Sequence, residues 1–515
     1  MLLRDFPPGC FALAIFIWLE LVASPSLWAD ELPPTAGVVV VQPIIVQGDP
    51  SIQSEPILAK ETVARVKTWL QPIGIDLHLV EPVECSLDET ANLLPVADRL
   101  RQAGQLRLPE RHVNMLILTD TTTASVAPAL GSEVQAIRLD GDLPSRDVSV
   151  QLFLSVTQAV GLTLSAADMA RFECDTPRVS DHERAIVEES SLVRPHVECL
   201  SVPDAQREII DESYDCYFAN LQRREIGALT QEAATAATLD ECRAAARQFF
   251  QSSVRPFTDR ENEAICWCVA HLENQVGRDM PLFTHQPWRF IKITDQLCGG
   301  FPHTRGFNIF FSESLVAAIV ELRLQGDADA AVGRFGALLL HEQLHVLERV
   351  FPQKFASLYA NQWKLRAGQV IDHPWLTEHQ IQNPDALQLT WLIPDSDGDG
   401  GTVWRWPRTF LSGSAPVPHM GTDFETVAVH VVEDTPNLFH TLTNATGLPA
   451  YSSLDAIQTH YRGLAPSGGL DHPNEVAAYA LGRLYNADYL QHVDPAELPE
   501  PLQQFRRWCH QHLRE

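Results

Sequence analysis

The sequence predicts a chain of mixed helix and sheet in two parts: an α/β part over 30–195 and an α+β part over 200–515. Three observations predict it. In the first part, β-branched runs alternate with amphipathic stretches, the order of a parallel-sheet domain. The second part opens on Ala-rich polar sequence of helical character. It then carries a long helical pattern near 327–351, strand-like sequence broken by Pro and Gly, and two last helices.

Taken in order, residues 37–47 (GVVVVQPIIVQ) form a continuous apolar, β-branched run, the pattern of a buried strand. Apolar spacing predicts a helix over 57–72, strands over 75–82 and 112–120, and a helix over 146–164. Residues 204–250 predict helix. Thr258-Asp259-Arg260-Glu261 is a capping box that opens the next helix. Residues 288–295 (WRFIKITD) and 307–311 (FNIFF) predict strands, joined by a loop with Gly299, Gly300 and His303-Thr304-Arg305-Gly306. The long helix stops before Pro352, which cannot continue it. Residues 386–432 predict strands, and 472–486 and 497–513 predict helices. No internal repeat or low-complexity tract is present.

Of 515 residues, 38 are Lys or Arg and 66 are Asp or Glu, a net charge of −28. With 45% hydrophobic residues, the composition excludes a wholly disordered chain. The acidity argues against nucleic acid and against an anionic membrane surface as partners. Residues 11–19 are apolar, follow Arg4, and precede the small residues of 24–29, which predicts an export signal over 1–29. The run is too short to span a bilayer, and Glu20 would be costly inside one. An uncleaved anchor is the alternative. Cleavage removes Arg4, Asp5 and Glu20 and leaves −27. The expected location is periplasmic or extracellular. Of ten cysteines, Cys10 leaves with the signal. Nine remain: Cys85, Cys174, Cys199, Cys216, Cys242, Cys266, Cys268, Cys298 and Cys509. Export favours disulfides among them, with at least one thiol left over. Cys266 and Cys268 diverge on a helix and suit neither a metal nor each other.

The sharpest feature is His341-Glu342-Gln343-Leu344-His345. On a helix the two histidines share a face, so both imidazoles can reach one ion, and Glu342 stands beside them to take a proton from water. Two imidazoles and a carboxylate, with a position left for water, suit zinc. The motif lies deep in an apolar helix, where buried polar groups need partners or a metal. Two surface histidines on an amphipathic helix are the alternative. A third ligand is needed. Glu348 and Phe351 stand where the metzincin spacing requires Gly and His. Glu475 is the best candidate, in the first turn of a helix with Pro473 at its first position and Asp471 or His472 as cap. Ala477 and Ala478 would let that helix approach closely. His373, Glu378 and His379 are rivals nearer in sequence.

The stretch HEQLHVLERVFPQKFASLY (341–359) resembles a group of bacterial HExxH proteins regarded as zinc metallopeptidases, zincins of the gluzincin type. Their motif runs HELFHVLSR, then Pro, then an LY pair. Further elements follow the same order here: Phe290-Ile291-Lys292, Thr304-Arg305-Gly306, Asn383-Pro384-Asp385-Ala386, and His472-Pro473-Asn474-Glu475 followed by Val476-Ala477-Ala478. They cover roughly 250–490. The resemblance implies a zincin-like domain with His341, His345 and Glu475 as zinc ligands and Glu342 as base. Asn474 departs from the group, replacing the first carboxylate of an HPEE run. So does Tyr479, where an acidic residue that would orient a metal-bound His is frequent.

The function expected is metal-assisted hydrolysis of peptide or protein substrates by an exported enzyme. The oxyanion needs a further donor, for which Arg305, His460, Tyr461 and Tyr479 are candidates. Residues 307–311 could be an edge strand for an extended peptide, or an ordinary buried strand. Asp395, Asp397 and Asp399 resemble the start of a Ca²⁺ loop, but Trp406 stands at the twelfth position, so a polar hairpin turn competes with Ca²⁺ binding. The first part resembles a metzincin-like domain in its element order. Leu154–Leu162 lacks His and Glu there, which would make it a dead copy. The alternative function is a zinc-stabilised binding or inhibitory protein whose chemistry is lost. A pro-region role for the first part is a further possibility.

Overall fold

The computed structural model describes 37–47, 60–70, 75–79, 83–86, 112–118, 134–138, 145–159, 162 and 164. From 196 to 514 it describes all but 213–214, 386–389, 397–401, 421, 455–456, 458–459, 462 and 467–468. The expected signal over 1–29 lies outside the described residues. The chain divides into two compact units, one over Glu31–Glu198 and one from Cys199 to Glu515.

The first unit is built on a parallel sheet. β1 (Gly37–Gln47) pairs along its length with β4 (His112–Leu118). Its other edge takes β2 (Ile75–Leu79) and then β3 (Val83–Ser86). One strand was expected over 75–82. β2 covers its first five residues, and β3, which was not foreseen, follows beyond it. β5 (Val134–Arg138), not foreseen, extends the sheet beyond β4. The helices Lys60–Leu70 and Ser145–Ala159 pack with Trp69 edge-on to Phe153, ring centroids 5.8 Å apart.

The second unit opens in β6 (Val197–Cys199), and Leu200 N donates to Phe290 O at 2.9 Å. The stretch expected as helix over 204–250 is four helices, Val202–Glu208, Tyr217–Asn220, Arg223–Thr230 and Leu239–Ser253. The capping box holds: Thr258 N donates to Glu261 Oε2 at 2.7 Å, and Glu261 N to Thr258 Oγ1 at 3.3 Å. A second sheet runs β6, β8 (Trp288–Ile293), β10 (Asn308–Ser312), β9 (His303–Arg305), with β7 (Val254–Arg255) also paired to β8. Two expectations are corrected here. Residues 303–305 are a strand rather than loop, turned back through Gly306, whose φ of +54° suits glycine. The strand expected at 307–311 lies between β8 and β9 and is buried throughout, so it is no edge for a peptide.

Two helices form the heart of this unit. The motif helix, Ala328–Val350, is capped by Asp327, whose side chain accepts from Ala330 N at 2.9 Å. The ligand helix, Pro473–Tyr485, is capped by His472, with Pro473 at its first position. Ala477 and Ala478 are fully buried on it. A Cβ placed on Gly482 would sit 3.5 Å from Ala337 Cβ, and Gly336 faces Tyr485. Small residues therefore set the closeness of these helices.

Between them the chain inserts a closed five-strand barrel. β11 (Arg366–Ile371), β12 (Thr390–Ser396), β13 (Thr402–Leu411), β14 (Phe424–Thr435) and β15 (Leu438–Thr441) close in a ring, β13 pairing β14 and β15 pairing β11 in parallel. β16 (Tyr451–Ser452) adds to β14. Leu392, Phe410, Val427, Val429, Val431 and Phe439 pack together as its core. Of the Ca²⁺ candidates, Asp397 and Asp399 lie outside the described residues. Asp395 pairs with Arg405 Nε at 3.1 Å, next to the Ser396–Thr402 pairing of a hairpin. The cysteines Cys216, Cys242, Cys266, Cys268, Cys298 and Cys509 are free thiols, so the expected disulfides are absent among these described residues. Among the described residues no helix is long and apolar enough to cross a membrane.

Two glycines on one helix give a paired test. A Cβ on Gly336 would meet Tyr485 Oη at 2.5 Å. That hydroxyl is fixed by Gln275 Oε1 at 2.7 Å and cannot give way. Gly336→Ala should cost about 1–3 kcal/mol by overpacking. Gly333 meets nothing within 4 Å, so Gly333→Ala should gain roughly 0.5–1 kcal/mol. Denaturant unfolding of both variants checks this, and equal effects would contradict the helix contact.

Candidate metal centre

From Leu338 to Val350 every residue of the motif helix is buried, although six of them are polar. The fold answers each one. Gln343 Nε2 donates to the carbonyls of Gln286 and Pro287 at 3.2 and 3.3 Å. Arg349 donates to the carbonyls of His345, Thr304, Pro384 and Asp385, all at 3.0–3.1 Å. The remaining four are His341, Glu342, His345 and Glu348, and they converge.

His341 and His345 stand one turn apart with ring centroids at 4.8 Å. Glu475 meets them from the first turn of the ligand helix: Oε2 lies 3.3 Å from His341 Nε2, and Oε1 lies 3.5 Å from His345 Nε2. Neither approach has the alignment of a hydrogen bond, so both Nε2 atoms are buried without a hydrogen-bond partner. Donors about 2 Å from a shared tetrahedral ion lie about 3.3 Å apart, and each Nε2 has one of the two Glu475 oxygens near that spacing. One ligand atom from each of the three residues lies within 4.8 Å of the others. Two imidazoles with a carboxylate fit zinc better than Ca²⁺ or Mg²⁺, which take oxygen ligands.

Electrostatics agree with the donor set. Burial holds the His345 imidazole well below its ordinary pKa, so it is neutral, the form that ligates. Burial alone would raise the Glu475 carboxyl. His345, His341 and the Asn383 amide outweigh burial and hold it at about 2, so it is ionised. Asn383 Nδ2 donates to Glu475 Oε1 at 2.8 Å. Burial pushes Glu342 up to about 8 against the Thr304 hydrogen bond. Thr304 Oγ1 lies 2.9 Å from Glu342 Oε2, while Oε1 is buried with no hydrogen-bond partner.

The surrounding residues were only partly foreseen. Thr304, Asn383 and Asp385 belong to elements noticed in the sequence without a role. Asp385 accepts a hydrogen bond from Thr304 N, and its carbonyl accepts from Asn474 Nδ2 at 2.6 Å. Glu348 and Tyr359 were missed. His345 Nδ1 lies 3.1 Å from Glu348 Oε2, and Tyr359 Oη donates to Glu348 Oε1 at 2.5 Å. The signal was available: Glu348 stands three residues after His345, on the same helix face.

Of the four candidate oxyanion donors, Tyr479 adjoins the ligands, its ring edge-on to His341 at 4.9 Å. A Cβ on Gly469 would strike that ring at 2.3 Å, so glycine makes its room. Arg305 is engaged elsewhere, donating to the carbonyls of Ile209 and Asp211 at 2.7 and 3.1 Å and lying 4.3 Å over the Tyr217 ring. His460 Nε2 is bound to Trp363 O at 2.7 Å, and Tyr461 packs edge-on to Trp363 at 5.6 Å. The rival ligands sit apart on the helix Pro374–His379. His373 caps it, His379 stacks on Trp375, and Glu378 is exposed. No family model, curated protein or solved structure matches the chain.

The raised Glu342 pKa carries a stability consequence in metal-free protein. Between 4.5 and about 8 the folded chain binds a proton there that the unfolded chain releases, so this group weakens the fold as pH rises through that window. His345 acts with the opposite sign below its ordinary 6.5. The difference between two proteins reports Glu342 together with the Asp385 carboxyl, whose rise it reinforces. After chelation, Glu342→Gln should gain stability over the parent progressively from about pH 5 to 8. Melting curves with parallel pH dependence would contradict the assignment.

Proposed function

We propose that the second unit is a zincin-like, zinc-dependent hydrolase that cleaves peptide bonds in peptide or protein substrates, with Glu342 as general base. The observation that carries this reading is the convergence of His341, His345 and Glu475 beside a Glu342 carboxylate with one oxygen unpartnered. His341, His345 and Glu475 would hold the ion. Bound there, zinc supplies Lewis acidity toward the scissile carbonyl and acidifies a water. Glu342 Oε1 takes the proton of the attacking water and passes it to the leaving amine. Thr304 holds the other oxygen and fixes the carboxylate's direction. Tyr479 is our choice of oxyanion donor because its ring packs on His341. The acidic composition and the apolar N-terminal run support action outside the cytoplasm.

One observation favours a second reading, a zinc-stabilised binding or inhibitory protein. The His341 and Glu475 side chains are only 8% and 5% exposed. The outward backbone of β9 at Thr304 is already taken by Asp385 and Arg349, so no peptide can add as a strand there.

Metal analysis and a peptide-cleavage assay on the full chain separate these. The parent should hold about one zinc, lost in His341→Ala and Glu475→Ala and kept in Glu378→Ala. Glu342→Gln should keep zinc and lose at least about 10²-fold in hydrolysis. Zinc retained in Glu475→Ala would overturn the ligand set, and zinc without turnover in the parent would favour the binding protein.

A further inference from the structure

We propose that Glu348, itself held by Tyr359, is a positioning residue that fixes His345 in the tautomer able to ligate through Nε2. The inference rests on the metal reading above and deepens it.

An imidazole can ligate through Nε2 only if its proton sits on Nδ1. Two side chains reach His345 Nδ1: Glu348 Oε2 at 3.1 Å and Asn474 Nδ2 at 3.4 Å. They demand opposite tautomers. As a carboxylate, the form that the Tyr359 hydrogen bond favours and burial opposes, Glu348 accepts, placing the proton on Nδ1 and leaving the Nε2 lone pair toward Glu475 and His341. Asn474 donates, which would force the proton onto Nε2 and remove the ligand. The Asn474 approach is the longer of the two, and one of its two amide hydrogens already goes to Asp385 O at 2.6 Å. Glu348 therefore decides the tautomer.

Glu348 is held in turn. Tyr359 Oη donates to its second oxygen at 2.5 Å. Tyr359 lies in a single π-helical turn, Leu358–Gln362, and its ring is fixed by Trp363, stacked at 5.5 Å, and Trp391, edge-on at 5.3 Å. Irregular turns of this kind recur where a side chain must be aimed. Glu348 and Tyr359 are buried, so water does not compete for either contact. The arrangement supplies on the motif helix the orienting carboxylate that is missing at Tyr479.

The test uses the full chain and two readouts. Zinc affinity is measured by competition with a chromophoric chelator in the parent, Glu348→Gln and Tyr359→Phe. The His345 tautomer is read in metal-free protein by long-range nitrogen–proton correlation, assigned by loss of the signal in His345→Gln. Glu348→Gln presents an amide to Nδ1 and should weaken zinc roughly 10–100-fold while moving the proton toward Nε2. Tyr359→Phe leaves the carboxylate but frees it, and should give a smaller loss with a mixed tautomer. Unchanged affinity and an unchanged Nδ1–H tautomer in both variants would overturn the proposal. If Glu348→Gln does not fold, Tyr359→Phe alone decides by the same readouts. If the parent binds no zinc, the metal reading fails, while the tautomer still shows whether Glu348 positions His345.

Discussion

A helix buried on all sides cannot carry ionisable side chains unless each has a partner in place. This constraint shapes the whole second unit. The stretch from Leu338 to Val350 puts two histidines, two glutamates, a glutamine and an arginine where water does not reach. Leaving any one unmatched would cost on the order of a few kcal/mol, comparable to the stability of a domain. The neighbouring segments are arranged as answers. The carbonyls of Gln286 and Pro287 meet the glutamine, and four carbonyls meet the arginine. Glu475 faces the histidines. The two Nε2 atoms, Glu342 Oε1 and Gln343 Oε1 stay without hydrogen-bond partners, and a cation with a water would answer the first three.

Arg349 ties these answers together. Its guanidinium bridges β9, the motif helix and the corner at Pro384–Asp385, while Asp385 closes back on Thr304 N. The same Thr304 holds Glu342 through its hydroxyl. Glu342 is thus oriented by an edge strand whose own outward groups are fixed by a distant corner. The Asn383 amide in that corner also orients Glu475. The two carboxylates therefore share a support, and a shift in the 383–385 corner would disturb both together.

Much of this was legible in the sequence, for identifiable reasons. Helical spacing sufficed for His341, Glu342 and His345, because i and i+4 always share a face. Proline at the first helical position and a capping His472 marked the start of the helix that carries Glu475, and Ala477 and Ala478 on it are buried, while the close approach to the motif helix falls at Gly482 and Gly336. Spacing failed where partners are distant in the chain. Nothing local says that Asn383 reaches Glu475 or that Arg305 turns toward Ile209. The strand at 307–311 read as a possible edge because a short apolar run looks alike at the edge and in the middle of a sheet. β9 was read as loop because three residues between glycines carry no period. Strands were read over 386–432 but no barrel: β11 and β15 lie outside that range, and ring closure rests on pairings distant in the chain.

The barrel sits wholly between the two helices that carry His341, His345 and Glu475, and His345 and Asn474 are 129 residues apart in the chain. A cation gripped from both helices would be a cross-link closing a loop of that size. In the chain-entropy description, a tie across about 100 residues removes freedom from the unfolded state worth about 4.7 kcal/mol. That figure varies only with the logarithm of loop length. The ring of strands inside the loop could lengthen or shorten by many residues with little effect on the strength of the tie.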